Sequence, residues 1–335
     1  MMVTKDTTLQ ELNEAPELAV AKNALISGGG YFEGETANLS LQDLNDKFGT
    51  WSWKDMVYGI NRFLYLLENN KGNVYSVYSE EEITADPRKE QVRLFWMPSD
   101  DKRNSECVIL MSGGAYGAVC TLSESMPVAA RLNELGFDCF CLNYRTAVNE
   151  DAINGLFPLP ADDVAAAWNF IRENEKIFGV DANNYVIGGF SAGGHLAAMW
   201  GTKHKGARHY GVPQPKMILL DYPLISMDTM ADDPVKQFMQ TLMFGAEHSR
   251  EKEEEYIVNN HIDESYPSVY HVQALDDSTV LPINASLFRE AMEAVNVPYE
   301  LELVESGGHG FGLGTQTQAS GWVDRAVIFL KEVTR

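Results

Sequence analysis

The chain carries two patterns of hydrophobic positions, which meet near residue 72. From about residue 90 onward, short apolar runs alternate with segments in which apolar residues recur every three or four positions, as strands and helices do. The pattern predicts strands at residues 91–96, 107–111, 138–143, 185–190, 217–222, 269–274 and 299–304. It predicts helices at residues 126–135, 161–175, 192–201, 285–295 and 321–331.

This alternation predicts an α/β fold with a mainly parallel central sheet and helices on both faces, which we assign to residues 73–335. Residues 226–266 interrupt it with a charged segment that has no predicted strand and includes Asp232 and Asp233. We interpret this segment as a cap-like insertion. Between two late strands it would lie at the carboxyl-end edge of the sheet, where ligands bind.

Residues 1–72 follow a helical pattern instead. Apolar residues recur at three- and four-residue spacing at Trp53, Met56, Val57, Ile60, Phe63, Leu64 and Leu67. We therefore predict a mostly helical N-terminal extension, packed on the α/β domain as part of a cap that borders the ligand site.

The net charge of the chain restricts the kinds of molecule that it is expected to bind. The 335 residues include 26 Lys and Arg against 48 Asp and Glu, a formal net charge of −22. Nucleic acid and anionic membrane surfaces would be repelled, so a neutral or cationic small molecule is the expected partner. No run approaches the ~20 apolar residues of a membrane span, and the first residues lack the pattern of a signal peptide.

The cysteines are too few for a disulfide scaffold, and they lack the paired CxxC spacing of a metal site. They are Cys107, Cys120, Cys139 and Cys141. We expect buried thiols in a reducing, cytoplasmic compartment.

The segment from Gly189 to Gly193 has the most specific chemical pattern. It reads Gly-Phe-Ser-Ala-Gly and joins an apolar run to a helical stretch, the strand–turn–helix context of a nucleophile elbow. In such a turn the serine hydroxyl projects above the sheet, and the helix N-terminus favours developing negative charge. We predict Ser191 as a nucleophile; the alternative is a structural glycine-rich turn.

A serine hydroxyl needs a base near neutral pH. His309 lies in a glycine-rich loop after the predicted strand 299–304, where it can reach the serine with little obstruction. His195 follows Ser191 by four residues on the same predicted helix, so we expect its ring to pack in the core. His309 is therefore the predicted base.

The base must be held in one tautomer by an acid. Asp276 and Asp277 both follow the predicted strand 269–274 directly, at the same edge of the sheet. We favour Asp277 because Val280 and Pro282 follow it at a familiar spacing, and Asp276 stays the alternative. The order serine, aspartate, histidine along the chain is the order in α/β-hydrolases.

A tetrahedral oxyanion also needs hydrogen-bond donors. Gly113 and Gly114 follow the predicted strand 107–111, and glycines allow main-chain N–H groups to turn towards a substrate oxygen. Ala192, directly after the predicted nucleophile, supplies the complementary N–H. These three residues are the predicted oxyanion hole.

No cofactor or metal is expected. The run Gly28-Gly29-Gly30 has the wrong spacing for a dinucleotide loop and no surrounding βαβ unit. The acidic pairs Asp162-Asp163 and Asp232-Asp233 have no partner histidine or compact carboxylate cluster, so we interpret them as solvated helix starts.

Several stretches resemble the esterase/lipase branch of the α/β-hydrolases, in particular bacterial acetyl-xylan and feruloyl esterase-like enzymes and hormone-sensitive-lipase-type carboxylesterases. The matching stretches are residues 112–116, 142–145, 158–167, 189–196, 277–282 and 307–310. Ser112 and Ala115 depart from the family's oxyanion loop, which has His or Pro at the first position and Gly at the fourth.

The resemblance implies a cofactor-free serine carboxylesterase that cleaves small-acyl, chiefly acetyl, esters, with acetylated sugars among the candidate substrates. It maps Ser191 as nucleophile, His309 as base and Asp277 as orienting acid, with Gly113, Gly114 and Ala192 as oxyanion donors. An amidase or peptidase of the same fold, and a non-catalytic small-molecule-binding homologue, are the alternatives.

Overall fold

The computed structural model describes residues 1–148, 151–230 and 234–334, and its centre is an eight-stranded sheet. The strands are β1 (Asn73–Ser76), β2 (Arg93–Met97), β3 (Cys107–Met111), β4 (Asp138–Asn143), β5 (Tyr185–Phe190), β6 (Met217–Asp221), β7 (Ser268–Ala274) and β8 (Tyr299–Val304). Their spatial order is β8-β7-β6-β5-β3-β4-β2-β1. Within this sheet β2 runs antiparallel to both of its neighbours, and all other pairings join parallel strands.

Helices cover both faces of the sheet. They are α1 (Leu9–Glu14), α2 (Leu41–Phe48), α3 (Trp53–Glu68), α4 (Glu80–Ala85), α5 (Ser125–Glu134), α6 (Asp151–Asn154), α7 (Leu159–Glu173), α8 (Glu175–Phe178), α9 (Ser191–Gly201), α10 (Pro234–Phe244), α11 (Arg250–Glu254), α12 (Ile283–Val295) and α13 (Trp322–Val333). One buried cluster lies between the sheet and α3, α5 and α13, and a second lies between the sheet and α7, α9 and α12. The predicted α/β class with a mainly parallel sheet is confirmed.

The edge strand β1 has no counterpart among the predicted strands. Its four residues are all half-buried, and its sequence Asn-Val-Tyr-Ser has neither a continuous apolar run nor a long alternation. Its register is set by antiparallel pairing with β2, from Asn73 opposite Trp96 to Ser76 opposite Arg93. Such a short edge strand depends on its neighbour, which local pattern does not reveal.

The N-terminal extension shares a hydrophobic core with the sheet. Met56, Ile60 and Phe63 of α3 are fully buried in the cluster that also contains Phe95 of β2. A short antiparallel pair joins Ser27–Gly28 of the extension to Ala118–Val119, in the loop after β3. The extension is therefore built into the α/β core, beside the loop that follows β3.

The described part of residues 226–266 is helical, with α10 and α11, and contains no named strand. Asp232 and Asp233 lie outside the described residues. Tyr256 anchors the segment: its ring lies 4.5 Å from that of Phe157, and its carbonyl oxygen is 2.8 Å from His195 Nε2. The segment thus packs behind the helix that follows β5.

All four cysteines are buried and free. Among the helices of the described chain, none combines the length and the apolar character needed to cross a membrane.

The contact between α3 and α5 gives a test of how tightly the extension is held. A Cβ on Gly59 would lie 2.7 Å from the Pro127 nitrogen, closer than real Cβ contacts, and the obstructing atoms belong to the backbone. Gly59→Ala should lower the free energy of unfolding by roughly 1–3 kcal/mol, although alanine is the better helix former. Urea denaturation measures the change.

The matched control is Lys54→Ala at an exposed position of the same helix, which should stay within about 0.5 kcal/mol of the wild type. A Gly59→Ala protein as stable as the wild type would show that α3 and α5 can move apart at this contact without a loss of stability.

Candidate active site

Ser191 lies at the junction of β5 and α9, in a strained backbone conformation. Its φ is +52°, a left-handed value that few non-glycine residues adopt. Glycines on both sides make the turn sterically possible. A Cβ on Gly189 would lie 2.0 Å from the Gly193 carbonyl oxygen, and a Cβ on Gly193 would lie 2.1 Å from the Met111 carbonyl oxygen. The predicted elbow therefore has the geometry that presents a side chain above the sheet.

His309 lies within hydrogen-bonding distance of the serine. Its Nε2 is 2.8 Å from Ser191 Oγ, and its Nδ1 is 2.8 Å from Asp277 Oδ2. The Asp277 side chain is fully buried, while that of His309 is 17% exposed. The residues that sequence reasoning selected from three distant segments are thus brought together in one continuous chain of hydrogen bonds.

The Asp277 carboxylate is held by further donors. Its Oδ1 accepts the main-chain N–H groups of Thr279 and Val280, both at 2.9 Å, and its Oδ2 accepts Gln273 Nε2 at 3.1 Å. Together these bonds fix the orientation of the carboxylate towards the imidazole.

Asp276 has a different position and different contacts. Its side chain is exposed, and Oδ1 accepts the main-chain N–H groups of Gly307 and Gly308 at 2.9 and 2.8 Å. It therefore holds the loop that carries His309 and makes no contact with the imidazole. Of the two aspartates, the structure places Asp277 beside the histidine.

Gly113 departs from the sequence-based expectation. Its main-chain N–H donates to Glu124 Oε2 at 2.5 Å, so in this conformation it is engaged by a carboxyl group and does not face a substrate. The N–H groups of Gly114 and Ala192 have no hydrogen-bond partner among the described residues. Gly114 lines the same pocket as Ser191, with a φ of +131° that suits glycine.

Glu124 is a site residue that sequence reasoning missed. Its side chain is buried beside the pocket, and Oε1 accepts the Tyr222 hydroxyl at 3.1 Å. That hydroxyl accepts the Gly312 N–H at 2.9 Å, and the Tyr222 ring lies 4.8 Å from the His309 ring. Glu124 thus connects the loop after β3 to the loop that carries the histidine.

Burial raises the pKa of Glu124 from 4.5 to about 7. The Gly113 N–H, the nearby His309 and the Tyr222 hydroxyl act in the opposite direction, but desolvation is the larger effect. Before the structure is known, Glu124 looks like an ordinary acidic residue at a helix start, and no spacing distinguishes it.

The pocket around Ser191 has a volume of about 370 Å³. Its walls come from the loop after β3, the His309 loop and the N-terminal extension. The lining residues are Tyr31, Phe48, Thr50, Trp51, Gly114, Ala115, Ala118, Cys120, Glu124, Ser191, Thr279, His309 and Gly310. No described residue of 226–266 lines it, because that segment packs against Phe157 and His195 instead.

His195 has the packing position expected from its place on α9. It is 2% exposed, with Nδ1 2.7 Å from the Tyr116 hydroxyl and Nε2 2.8 Å from the Tyr256 carbonyl oxygen. Burial lowers its pKa to about 4, so the ring is neutral near pH 7.

Within the described residues, no group of three or more His, Cys, Asp or Glu could hold a metal ion.

The raised pKa of Glu124 predicts a specific pH dependence of stability. Between pH 4.5 and about 7 the folded chain keeps a proton that the unfolded chain releases, so the free energy of unfolding falls as the pH rises. Glu124→Gln removes this contribution. We expect the difference in the free energy of unfolding, wild type minus Glu124→Gln, to fall by roughly 3 kcal/mol between pH 4.5 and about pH 7. Above that pH the difference should stay constant.

Urea denaturation of both proteins at several pH values from 4.5 to 8 measures this difference. Glu134→Gln, at the exposed end of α5, the helix that begins directly after Glu124, is the matched control. If the curves of wild type and Glu124→Gln run parallel over the whole range, Glu124 ionises as it does in water.

Comparison with known proteins places this arrangement in a family. The BD-FAE family model matches residues 95–292, which is more than half of the chain. Endo-1,4-beta-xylanase B of Butyrivibrio fibrisolvens is 26% identical over 237 residues, which cover 68% of this chain and 36% of that protein. Acetylxylan esterase of Xylanibacter ruminicola is 27% identical over 217 residues, 63% of this chain and 42% of that protein.

The chain therefore spans less than half the length of these two relatives. Among solved structures, an acetyl ester-xyloside bifunctional hydrolase from Caldicellulosiruptor lactoaceticus superposes with a TM-score of 0.66 at 25% identity, covering 78% of this chain and 96% of that one. The sheet order, the elbow and the family match agree: the chain is an α/β-hydrolase that belongs to the BD-FAE family.

Proposed function

We propose that this protein is a serine esterase that hydrolyses acetyl and other short-acyl esters. The observation that carries the proposal is the chain of hydrogen bonds from Ser191 Oγ through His309 to the buried Asp277 carboxylate. The names of the relatives, an acetylxylan esterase and an acetyl ester-xyloside hydrolase, support the acetyl group and suggest a carbohydrate as the alcohol.

In the proposed reaction, Ser191 Oγ attacks the ester carbonyl carbon while its proton passes to His309 Nε2. The imidazolium then faces the Asp277 carboxylate, which compensates its charge and holds the ring by Nδ1. Collapse of the tetrahedral intermediate breaks the bond to the alkoxy oxygen, which leaves with the proton from Nε2. Water, deprotonated by the same nitrogen, then releases the acid from the serine.

For the oxyanion we propose the main-chain N–H groups of Gly114 and Ala192 as donors. Both lack partners among the described residues, and Ala192 directly follows the nucleophile at the start of α9. Each such donor typically contributes ~3–4 kcal/mol of transition-state stabilisation. Gly113 would take part only after Glu124 releases its N–H, so we assign it to the support of the loop.

The substrate class follows from the pocket. The pocket has a volume of about 370 Å³, and its lining includes the small side chains of Ala115, Ala118 and Cys120, which suits a small acyl group. A small neutral ester is the partner we propose, in keeping with the net charge of −22. The four free, buried cysteines support our proposal of a reducing, cytoplasmic setting.

Replacing the nucleophile is the direct test. Ser191→Ala should lower kcat for p-nitrophenyl acetate by about 10⁴–10⁶, because the acyl-enzyme can no longer form. A fluorophosphonate probe should label the wild type at Ser191 and leave the variant unlabelled. Ser320→Ala, at an exposed serine away from the pocket, is the control and should keep the wild-type rate.

An unchanged rate in purified Ser191→Ala protein would contradict the proposal. Matched acetate esters and acetamides, assayed side by side, separate an esterase from an amidase with the same site.

The two aspartates should respond differently to the same substitution. Asp277→Asn should lower kcat by about 10⁴, since an amide cannot stabilise the imidazolium and favours the wrong tautomer. Asp276→Asn keeps an oxygen that can accept the Gly307 and Gly308 N–H groups, so its effect should be far smaller. Steady-state kinetics of the two variants measure the two effects. Equal losses of kcat in both variants would reject Asp277 as the orienting acid.

A further inference from the structure

The N-terminal extension contributes an aromatic wall to the active-site pocket. The wall consists of Tyr31, Phe48 and Trp51, all of which line the cavity that contains Ser191 and His309. The Phe48 and Trp51 ring centroids are 4.4 Å apart, and Tyr31 stacks on Trp51 at 6.1 Å with an interplanar angle of 25°. These rings support one another and form a continuous surface at one side of the pocket.

The wall is attached to the loop that carries the histidine. The Thr50 hydroxyl donates to the His309 carbonyl oxygen, and a Cβ on Gly310 would lie 3.3 Å from Trp51 Nε1. Trp51 itself is 9% exposed, so its ring is held firmly. The position of the wall relative to His309 is therefore determined by direct contacts.

This position decides which part of an ester would meet the wall. His309 Nε2 must hand its proton to the departing alkoxy oxygen, so the alcohol portion leaves on the histidine side of the serine. Trp51 packs against the histidine loop, and it therefore borders the alcohol portion more closely than the acyl portion. The wall is placed to select the alcohol.

The chemistry of the wall fits a sugar ring. A pyranose has a face of C–H groups that packs on an aromatic ring, and hydroxyl groups at its rim that need hydrogen-bond partners. Phe48 and Tyr31 are half-buried and offer ring surface, and Trp51, which lines the same pocket, adds an indole N–H donor. An aromatic surface with an N–H donor binds a group that is apolar on one face and polar at its edge.

The wall lies outside the family match. The BD-FAE model begins at residue 95, whereas Tyr31, Phe48 and Trp51 all belong to the preceding extension. The feature is a property of this chain's extension, which reaches the pocket because α3 is packed into the core beside α5.

We propose that Tyr31, Phe48 and Trp51 form a pyranose-binding subsite for the alcohol portion of the ester, so that the N-terminal extension determines selectivity for acetylated sugars. This inference rests on the proposed esterase function and extends it to the alcohol. Tyr31 and Phe48 pack on the sugar, and the Trp51 indole N–H donates to a sugar hydroxyl.

The test compares two acetate esters that differ in the alcohol: a per-acetylated methyl xyloside and ethyl acetate, with acetate release followed in a pH-stat. For Trp51→Ala, the ratio of kcat/KM on the xyloside to kcat/KM on ethyl acetate should fall at least tenfold, mainly through KM for the xyloside. Trp51→Phe keeps an aromatic ring in the wall but removes the indole N–H, so it should recover only part of that ratio.

Phe48→Ala provides a second variant, because Phe48 is a wall residue whose ring packs on Trp51; it should lower the same ratio. Tyr65→Ala, an exposed aromatic on α3 outside the pocket, is the control and should leave the ratio unchanged. An unchanged ratio in both Trp51→Ala and Phe48→Ala, including an equal loss on both esters, overturns the subsite. A wild-type protein that hydrolyses neither ester overturns the proposed esterase function, and the subsite with it.

Discussion

The turn at Ser191 requires glycine at the flanking positions 189 and 193, because the main chain packs closely around it. Ser191 has a φ of +52°, and the chain around it is so closely packed that no side chain fits at Gly189 or Gly193. The β3 end, through the Met111 carbonyl oxygen, closes the same space from the side. Once the turn is packed in this way, the hydroxyl stands at the carboxyl-end edge of the sheet, and every other group of the site is positioned relative to it.

Two buried carboxyl groups lie at this edge of the sheet in different surroundings. Asp277 accepts three N–H groups, which orient its carboxylate towards the imidazole. Glu124 lies in a drier position, where desolvation raises its pKa and the hydrogen bonds to Gly113 and Tyr222 compensate only in part. The two carboxyl groups near His309 therefore differ in how many hydrogen-bond donors surround them.

The extension changes how the α/β domain is best described. Because Met56, Ile60 and Phe63 are buried in the same cluster as sheet residues, the first 72 residues add to the core instead of forming a separate unit. Their contact with the loops after β3 and around His309 brings aromatic side chains to the pocket. A segment outside the family match therefore shapes the space in which a substrate would sit.

The amino-acid sequence alone was sufficient for strands β2 to β8 and the long helices between them, the elbow at Ser191 and the choice of His309 as the histidine near it, because each depends on local pattern and on a turn that needs glycine. The edge strand β1, the engagement of Gly113 by Glu124 and the aromatic wall were not predictable in this way. Each of them depends on contacts between segments far apart along the chain, such as residues 51 and 310, and burial of this kind leaves no periodicity in the sequence. Tertiary packing also decided between Asp276 and Asp277, since two adjacent residues at a strand end point in different directions and only one can face the imidazole.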